Sequence, residues 1–255
     1  MQRNNTMTRR FLADAGVSAG MRVMEIGCGS GEVTLLLADL VGPSGVVLAI
    51  DRDPGAIAMA QDRVREQGIE HVQFVAADVA EPFASLENVA YESFDALAGR
   101  RVLMYLPNPS ETLRRLAKWL KGGGVVVFEE TDPTMVPGSA SILPAHDEAT
   151  ELLRKMLVAE GANTAMGFCL PATLTQAGLT FGRVRAEAVI QGQGTQYPLH
   201  TLLSLVQSRI VGAELATKED IDALVLRLQS ESRDPTCVYV SEMSFCAWGS
   251  KPRNQ

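Results

Sequence analysis

Three carboxylates and three glycines are the residues of this chain best placed to do chemistry. Gly27, Gly29 and Gly31 are spaced two apart in Met24-Glu-Ile-Gly-Cys-Gly-Ser-Gly31, and Glu25 stands two residues before the first. Glycines let a backbone turn tightly and approach a ligand where a Cβ would collide. Asp51 comes 20 residues after Gly31, at the end of an apolar run, and Asp78 follows another. An acid at that distance from a glycine turn can accept both hydroxyls of a ribose. Bonds to a charged acceptor are worth about 1.5–3 kcal/mol each, enough to select a nucleoside. Asp78 can accept an exocyclic amine such as that of adenine, with the Val79 N–H offered to the ring. The bland alternatives are a plain strand-to-helix turn for the glycines and helix N-caps for the acids. All three acids at these spacings favour the binding reading.

A strand over 21–26, a helix over 31–41 and strands over 46–50, 72–76, 94–98 and 125–128 must position these groups. Asp53-Pro54 suits an N-cap followed by the first helical residue. Leu113, Leu116 and Leu120 put a helix over 110–120, stopped by Lys121-Gly-Gly-Gly124. Alternating helices and continuous apolar strands predict a mostly parallel sheet covered on both faces. After residue 130 the alternation breaks. One domain over 1–255 is expected, with its core at 16–130 and 168–250 and helical insertions near 131–166 and 192–235 forming a lid. Two late strands, near 183–190 and 238–248, are expected to be antiparallel neighbours. Thr217 and Asp220 form a capping box ahead of the stripe Ile221, Leu224, Val225 and Leu228.

Composition excludes several classes. The 255 residues carry a net charge of -7, and 46% are hydrophobic. That disfavours a nucleic-acid binder, which needs a basic face to displace counterions. No stretch reaches the ~20 apolar residues of a membrane span. Cys28, Cys169, Cys237 and Cys246 form no C-x-x-C pair, so neither zinc nor a disulfide framework is expected. No apolar signal core follows Arg3, Arg9 and Arg10, so a soluble cytoplasmic protein is expected. No metal site is expected.

Glu25-x-Gly-Cys-Gly-Ser-Gly, Asp51, Ala77-Asp78 and the Leu-x-Gly-Gly-Gly turn resemble the class I S-adenosylmethionine-dependent methyltransferases. Phe94-Asp95 and Arg101-Val-Leu-Met-Tyr-Leu-Pro-Asn-Pro109 narrow the resemblance to the ubiquinone/menaquinone-type and natural-product small-molecule branch. The resemblance covers roughly residues 8–130. It implies a Rossmann-like α/β fold, a seven-stranded sheet with an antiparallel last strand, and S-adenosylmethionine over the glycine loop. By position it places Glu25, Gly27, Cys28, Gly29 and Gly31 at the methionine end. Asp51, followed by Arg52, meets the ribose, Asp78 and Val79 meet adenine, and Gly99 and Arg100 lie along the sulfonium. Gly123-Gly124 stands where the family usually has Pro-Gly.

A sulfonium carries an already activated methyl group, so alignment and water exclusion are the main tasks, and positioning can supply about 7–11 kcal/mol. A general base adds about 10²–10⁴-fold. The candidates are Tyr105, Glu129, Glu130, Asp132 and His146, with Glu130 and Asp132 preferred to Glu129 because they share a strand face. Packing, solvation or helix capping are the bland alternatives. Arg100 or Arg101 could bind an anionic group, one of them pairing instead with an acid. Neither Asn/Asp-Pro-Pro-Tyr/Phe nor a Pro-Cys pair occurs, which disfavours DNA-base chemistry. A small apolar or aromatic acceptor is expected, indole-like or quinol-like, methylated on carbon, nitrogen or oxygen by a monomer or homodimer. The rivals are an NAD-dependent dehydrogenase, a non-catalytic donor-binding protein and, less so, aminopropyl transfer.

Overall fold

The structure is a computed structural model, and it describes residues 2–81, 89–134, 138–139, 141–192, 199–234 and 238–253. The elements are α1 (Gln2–Asp14), β1 (Arg22–Ile26), α2 (Glu32–Val41), β2 (Val46–Asp51), α3 (Pro54–Glu66), β3 (Val72–Ala76), β4 (Phe94–Arg100), α4 (Pro109–Leu116), β5 (Leu120–Asp132), α5 (Pro144–Ala159), α6 (Met166–Gln176), β6 (Thr180–Gly192), α7 (Leu199–Leu205), α8 (Gln207–Gly212), α9 (Lys218–Glu231) and β7 (Val238–Ser250). The sheet has seven strands in the order β3-β2-β1-β4-β5-β7-β6, parallel except for the last strand. Its central register pairs Glu25 with Ala49 on one side and with Ala98 on the other. The order reverses about β1, and in such sheets ligands bind beyond the carboxyl ends of the strands at the reversal.

Local chemistry explains the boundaries. The Asp53 carboxylate accepts from the Gly55 N–H at 2.8 Å, and Pro54 opens α3. Asn108 caps α4 in the same way, ahead of Pro109. The helix expected over 110–120 ends earlier, at Leu116. The Trp119 carbonyl accepts from the Ser93 and Phe94 amides, and Leu120 pairs with Phe94, so strand pairing draws the chain out of the helix. Gly122 to Gly124 lie inside β5 rather than ahead of it. Gly123 has a φ of +85°, and its N–H donates to the Lys251 carbonyl at 2.8 Å.

The chain separates into two compact units. One holds Asn5–Glu130, Gly167–Arg185 and Phe245–Gln255, and the other holds Met1–Asn4, Thr131–Met166 and Ala186–Ser244. The expected insertions, 131–166 and 192–235, fall in the second, apart from residues 135–137, 140, 193–198 and 235, which lie outside the described residues. The first unit buries Val23, Met24 and Ile26 of β1 and Val47 to Ile50 of β2 completely or nearly so. The second packs Ala149 and Met156 of α5 against Leu203, Ile210, Ile221, Leu224 and Leu228. The Thr217–Asp220 capping box is present at the start of α9.

Candidate functional site

Beyond the carboxyl ends of β1, β2, β3 and β4 lies a cleft of about 250 Å³. Gly27, Gly29, Asp51, Arg52, Asp78, Val79 and Tyr105 of the expected set line it, together with Ile50, Ala77, Arg101, Val102 and Leu106. Gly27 and Gly29 have left-handed φ values of +69° and +50°. The Gly27 and Cys28 amides donate to the Ile50 carbonyl, which fixes the loop against β2. A Cβ added at Gly29 would meet nothing within 4 Å, so the loop is open there. The Asp51 carboxylate accepts from the Gly29 N–H at 2.7 Å and from the Asp53 N–H at 2.9 Å. One carboxylate thus joins the glycine loop to the start of α3. Asp78 accepts from the Ala80 N–H at 2.8 Å and stands 4.0 Å from Arg52.

Five expected donor-binding residues do not line the cleft. Glu25 is buried and its Oε2 accepts from the Thr34 hydroxyl at 2.6 Å. Burial pushes its carboxyl up to about 7, against the pull of Thr34 and Arg100. Cys28 packs with Ala49, Ile57 and Phe74, and burial pushes its thiol up as well. Gly31 lies where a Cβ would be 2.9 Å from that of Ala60, a close approach of the loop to α3. A Cβ on Gly99 would strike Phe128 at 2.7 Å and Val102 at 2.9 Å. Arg100 pairs with Glu32 at 2.7 Å, donating also to Thr8 at 3.0 Å. Of the two adjacent arginines, Arg100 pairs with Glu32, and Arg101 lies on the cleft wall.

The candidate bases separate sharply. Tyr105 lines the cleft. Glu130 does not: the side chain is fully buried, and Oε1 accepts from the Val102 and Leu103 amides at 3.0 and 2.8 Å. Burial pushes its carboxyl up to about 7, against those amides and the Arg101 charge. Glu129 is buried too. Asp132, in the helical unit, is fully buried and accepts from the Thr134 N–H at 3.0 Å and from the Thr134 hydroxyl. His146, also in that unit, is buried with Nδ1 2.8 Å from Glu231 Oε2. The same glutamate accepts from the Ala145 and His146 amides, capping α5, which has no side-chain cap of its own. Burial pushes the Glu231 carboxyl up, but the amides and the imidazole outweigh it and hold the group below the ordinary glutamate range. Tyr239 stacks on the His146 ring and shares a 2.6 Å hydrogen bond with Thr150.

Sequence reasoning passed over Val102, Ile50 and Leu106 on the wall, and Thr34 and Glu231 behind the carboxylate and the imidazole. An apolar residue directly after the Arg100-Arg101 pair was a usable signal for Val102. Glu231, 85 residues from His146, left none. Among the described residues no cluster of His, Cys, Asp and Glu could hold a metal, and no helix is long and apolar enough to cross a membrane. Cys28, Cys169 and Cys246 form no disulfide among the described residues, and Cys237 lies outside them.

The model of a family described as a methyltransferase domain matches residues 17–180, a span that contains the whole cleft. The chain belongs to that family. Aklanonic acid methyltransferase DauC from a Streptomyces species (strain C5) is 32% identical over 60% of this chain and 65% of its own. Demethylmenaquinone methyltransferase from Bacillus cytotoxicus is 26% identical over 53% of this chain and 55% of its own. The chain therefore matches between just over half and about two thirds of these relatives' length. A SAM-dependent methyltransferase of known structure from Aquifex aeolicus superposes with a TM-score of 0.53, covering 69% of this chain and 81% of that one at 20% identity. The fold is thus that of S-adenosylmethionine-dependent methyltransferases. With this membership the dehydrogenase alternative is set aside.

Proposed function

We propose that this methyltransferase-family chain transfers the methyl group of S-adenosylmethionine to a small, apolar or aromatic metabolite. The observation that carries the reading is that Gly27, Gly29, Asp51, Asp78 and Val79 meet on one cleft. The residues fit the donor: the open space at Gly29 leaves the loop accessible. Each Asp51 oxygen uses one lone pair on the Gly29 or Asp53 amide and keeps another for a hydroxyl. When bound, S-adenosylmethionine supplies a methyl group already activated by its sulfonium.

The chain's own residues then bind, orient and exclude water. Asp51 holds the ribose hydroxyls, Asp78 takes the adenine amine, and Val79 offers its backbone to the ring. Ile50, Val102 and Leu106 keep water from the wall they line, and apolar walls with a few polar anchors suit such ligands. Tyr105 is the foremost candidate on the acceptor side, as an orienting hydroxyl or a base. His146 and Asp132 stay in the proposal as candidates from the helical unit.

The names of two relatives, for aklanonic acid and demethylmenaquinone, support a small-metabolite acceptor. Carbon, nitrogen and oxygen stay open as the methylated atom, as do monomer and homodimer. A lid role for the helical unit belongs to the same proposal, and donor-dependent protection of 141–166 from protease would support it. The deciding experiment incubates the protein with methyl-labelled S-adenosylmethionine and a small-molecule extract, and identifies the labelled product by mass. A labelled small metabolite is expected. Binding of S-adenosylhomocysteine with no labelled product from any extract would favour a non-catalytic donor-binding protein.

A further inference from the structure

The contacts of Glu130 are those of a group with a task. It is fully buried near the boundary of the sheet unit, and its Oε2 has no hydrogen-bond partner among the described residues. Its Oε1 takes both the Val102 and the Leu103 amides. Directly before them Arg101 has a left-handed φ of +54°, rare for a residue with a Cβ. The Arg101 N–H donates to the Glu129 carbonyl at 2.8 Å. Two consecutive residues of β5 therefore pin this bend, one through its main chain and the other through its carboxylate.

The bend sets the position of Val102. A Cβ on Gly27 would lie 2.6 Å from one Val102 methyl, and a Cβ on Gly99 would lie 2.9 Å from the other. The valine fills the space that both glycines leave, and Gly27 opens the donor loop. Arg101, Val102, Tyr105 and Leu106, all on or just past the bend, form one wall of the cleft.

We propose that Glu130 is a positioning residue for donor binding: by holding the Val102 and Leu103 amides it seats the Val102 side chain against Gly27 and so fixes the level of the glycine loop. This rests on the reading of the cleft as the donor site. Glu130 touches no reacting atom and acts through Val102.

The test measures S-adenosylhomocysteine affinity by calorimetry in the full chain, with thermal melts in parallel. Glu130→Leu removes the acceptor and is expected to raise Kd about tenfold or more, and Val102→Ala by a similar factor. Residues that act as one unit are not additive, so the double variant is expected to be no worse than Glu130→Leu alone. Glu130→Gln keeps an oxygen that can accept both amides and is expected to stay within about threefold of the parent. A general loss of stability would reproduce neither the non-additivity nor the rescue. If Glu130→Leu does not fold, Glu130→Asp, too short to reach both amides, is expected to give about a fivefold loss. Unchanged affinity in Glu130→Leu, full additivity, or equal damage from Gln and Leu overturns the proposal. Failure of the parent chain to bind would instead overturn the cleft reading. In that case, faster amide exchange at Val102 and Leu103 in Glu130→Leu than in Glu130→Gln supports the Glu130 latch, and equal rates refute it.

Discussion

The strand-end acids of the sheet unit and the buried polar groups around His146 in the helical unit spend their hydrogen bonds differently. In the sheet unit, Asp51 and Asp78 spend part of their hydrogen-bonding capacity on the loops they cap and present the rest to a cleft. In the helical unit, the groups around His146 close on one another: His146 meets Glu231, Glu231 caps α5, and Thr150 meets Tyr239. Parallel strands end together and leave short loops, so their terminal acids converge on one place. Packed helices bury such groups pairwise, where an unpaired one would cost about 1–3 kcal/mol. A carboxylate at a strand end therefore reaches a cleft that the buried His146 does not line.

The contrast breaks most visibly at Gly27. Gly27→Ala places a Cβ 2.6 Å from Val102 at a φ of +69°, a backbone region that costs a residue with a Cβ about 1–2 kcal/mol. S-adenosylhomocysteine affinity, measured by calorimetry, is expected to fall about 100-fold or more, with the fold kept in far-ultraviolet dichroism. Asp51→Ala is expected to weaken the same ligand about tenfold or more, because bonds to a charged acceptor are worth about 1.5–3 kcal/mol each. An unchanged Kd would contradict the ribose role.

How legible this was depends on how local the determinant is. Asp53-Pro54 marked the start of α3 to the residue, because cap and proline act within one turn. The glycine loop, Asp51 and Asp78 were readable because each sits at the end of an apolar run. Gly122 to Gly124 misled: three glycines read as a break, while pairing of Leu120 with Phe94 had already begun the strand. Strand parity put Glu130 and Asp132 on one face but could not show that Glu130 accepts two buried amides. The Glu231–His146 contact joins helices far apart in the chain, beyond the reach of any spacing rule.

In the helical unit the contrast sharpens as a stability effect. Glu231→Gln is expected to lower the melting temperature at pH 7. Its carboxyl lies below the ordinary range when folded, so its stabilisation is present above the unfolded pKa and lost as pH falls through the folded one. Melts of the parent and the variant should therefore converge in acid, and a constant gap at all pH would contradict the assignment.

The sheet unit carries a pH effect of the opposite sign. Glu25 and Glu130 both have carboxyls raised from 4.5 to about 7. Their contribution to stability is full below about pH 4.5 and is lost as pH rises through about 7. Urea midpoints should fall across that window, and Glu25→Gln should remove part of the slope. A slope unchanged by that substitution would place the buried charge elsewhere.

Hydrogen–deuterium exchange of the whole protein with and without S-adenosylhomocysteine tests the central claim most directly. Slowed exchange is predicted at 25–31, 51–53, 77–79 and 101–106, the ends of β1 to β4. Protection at other positions while these four segments stay unchanged would contradict it.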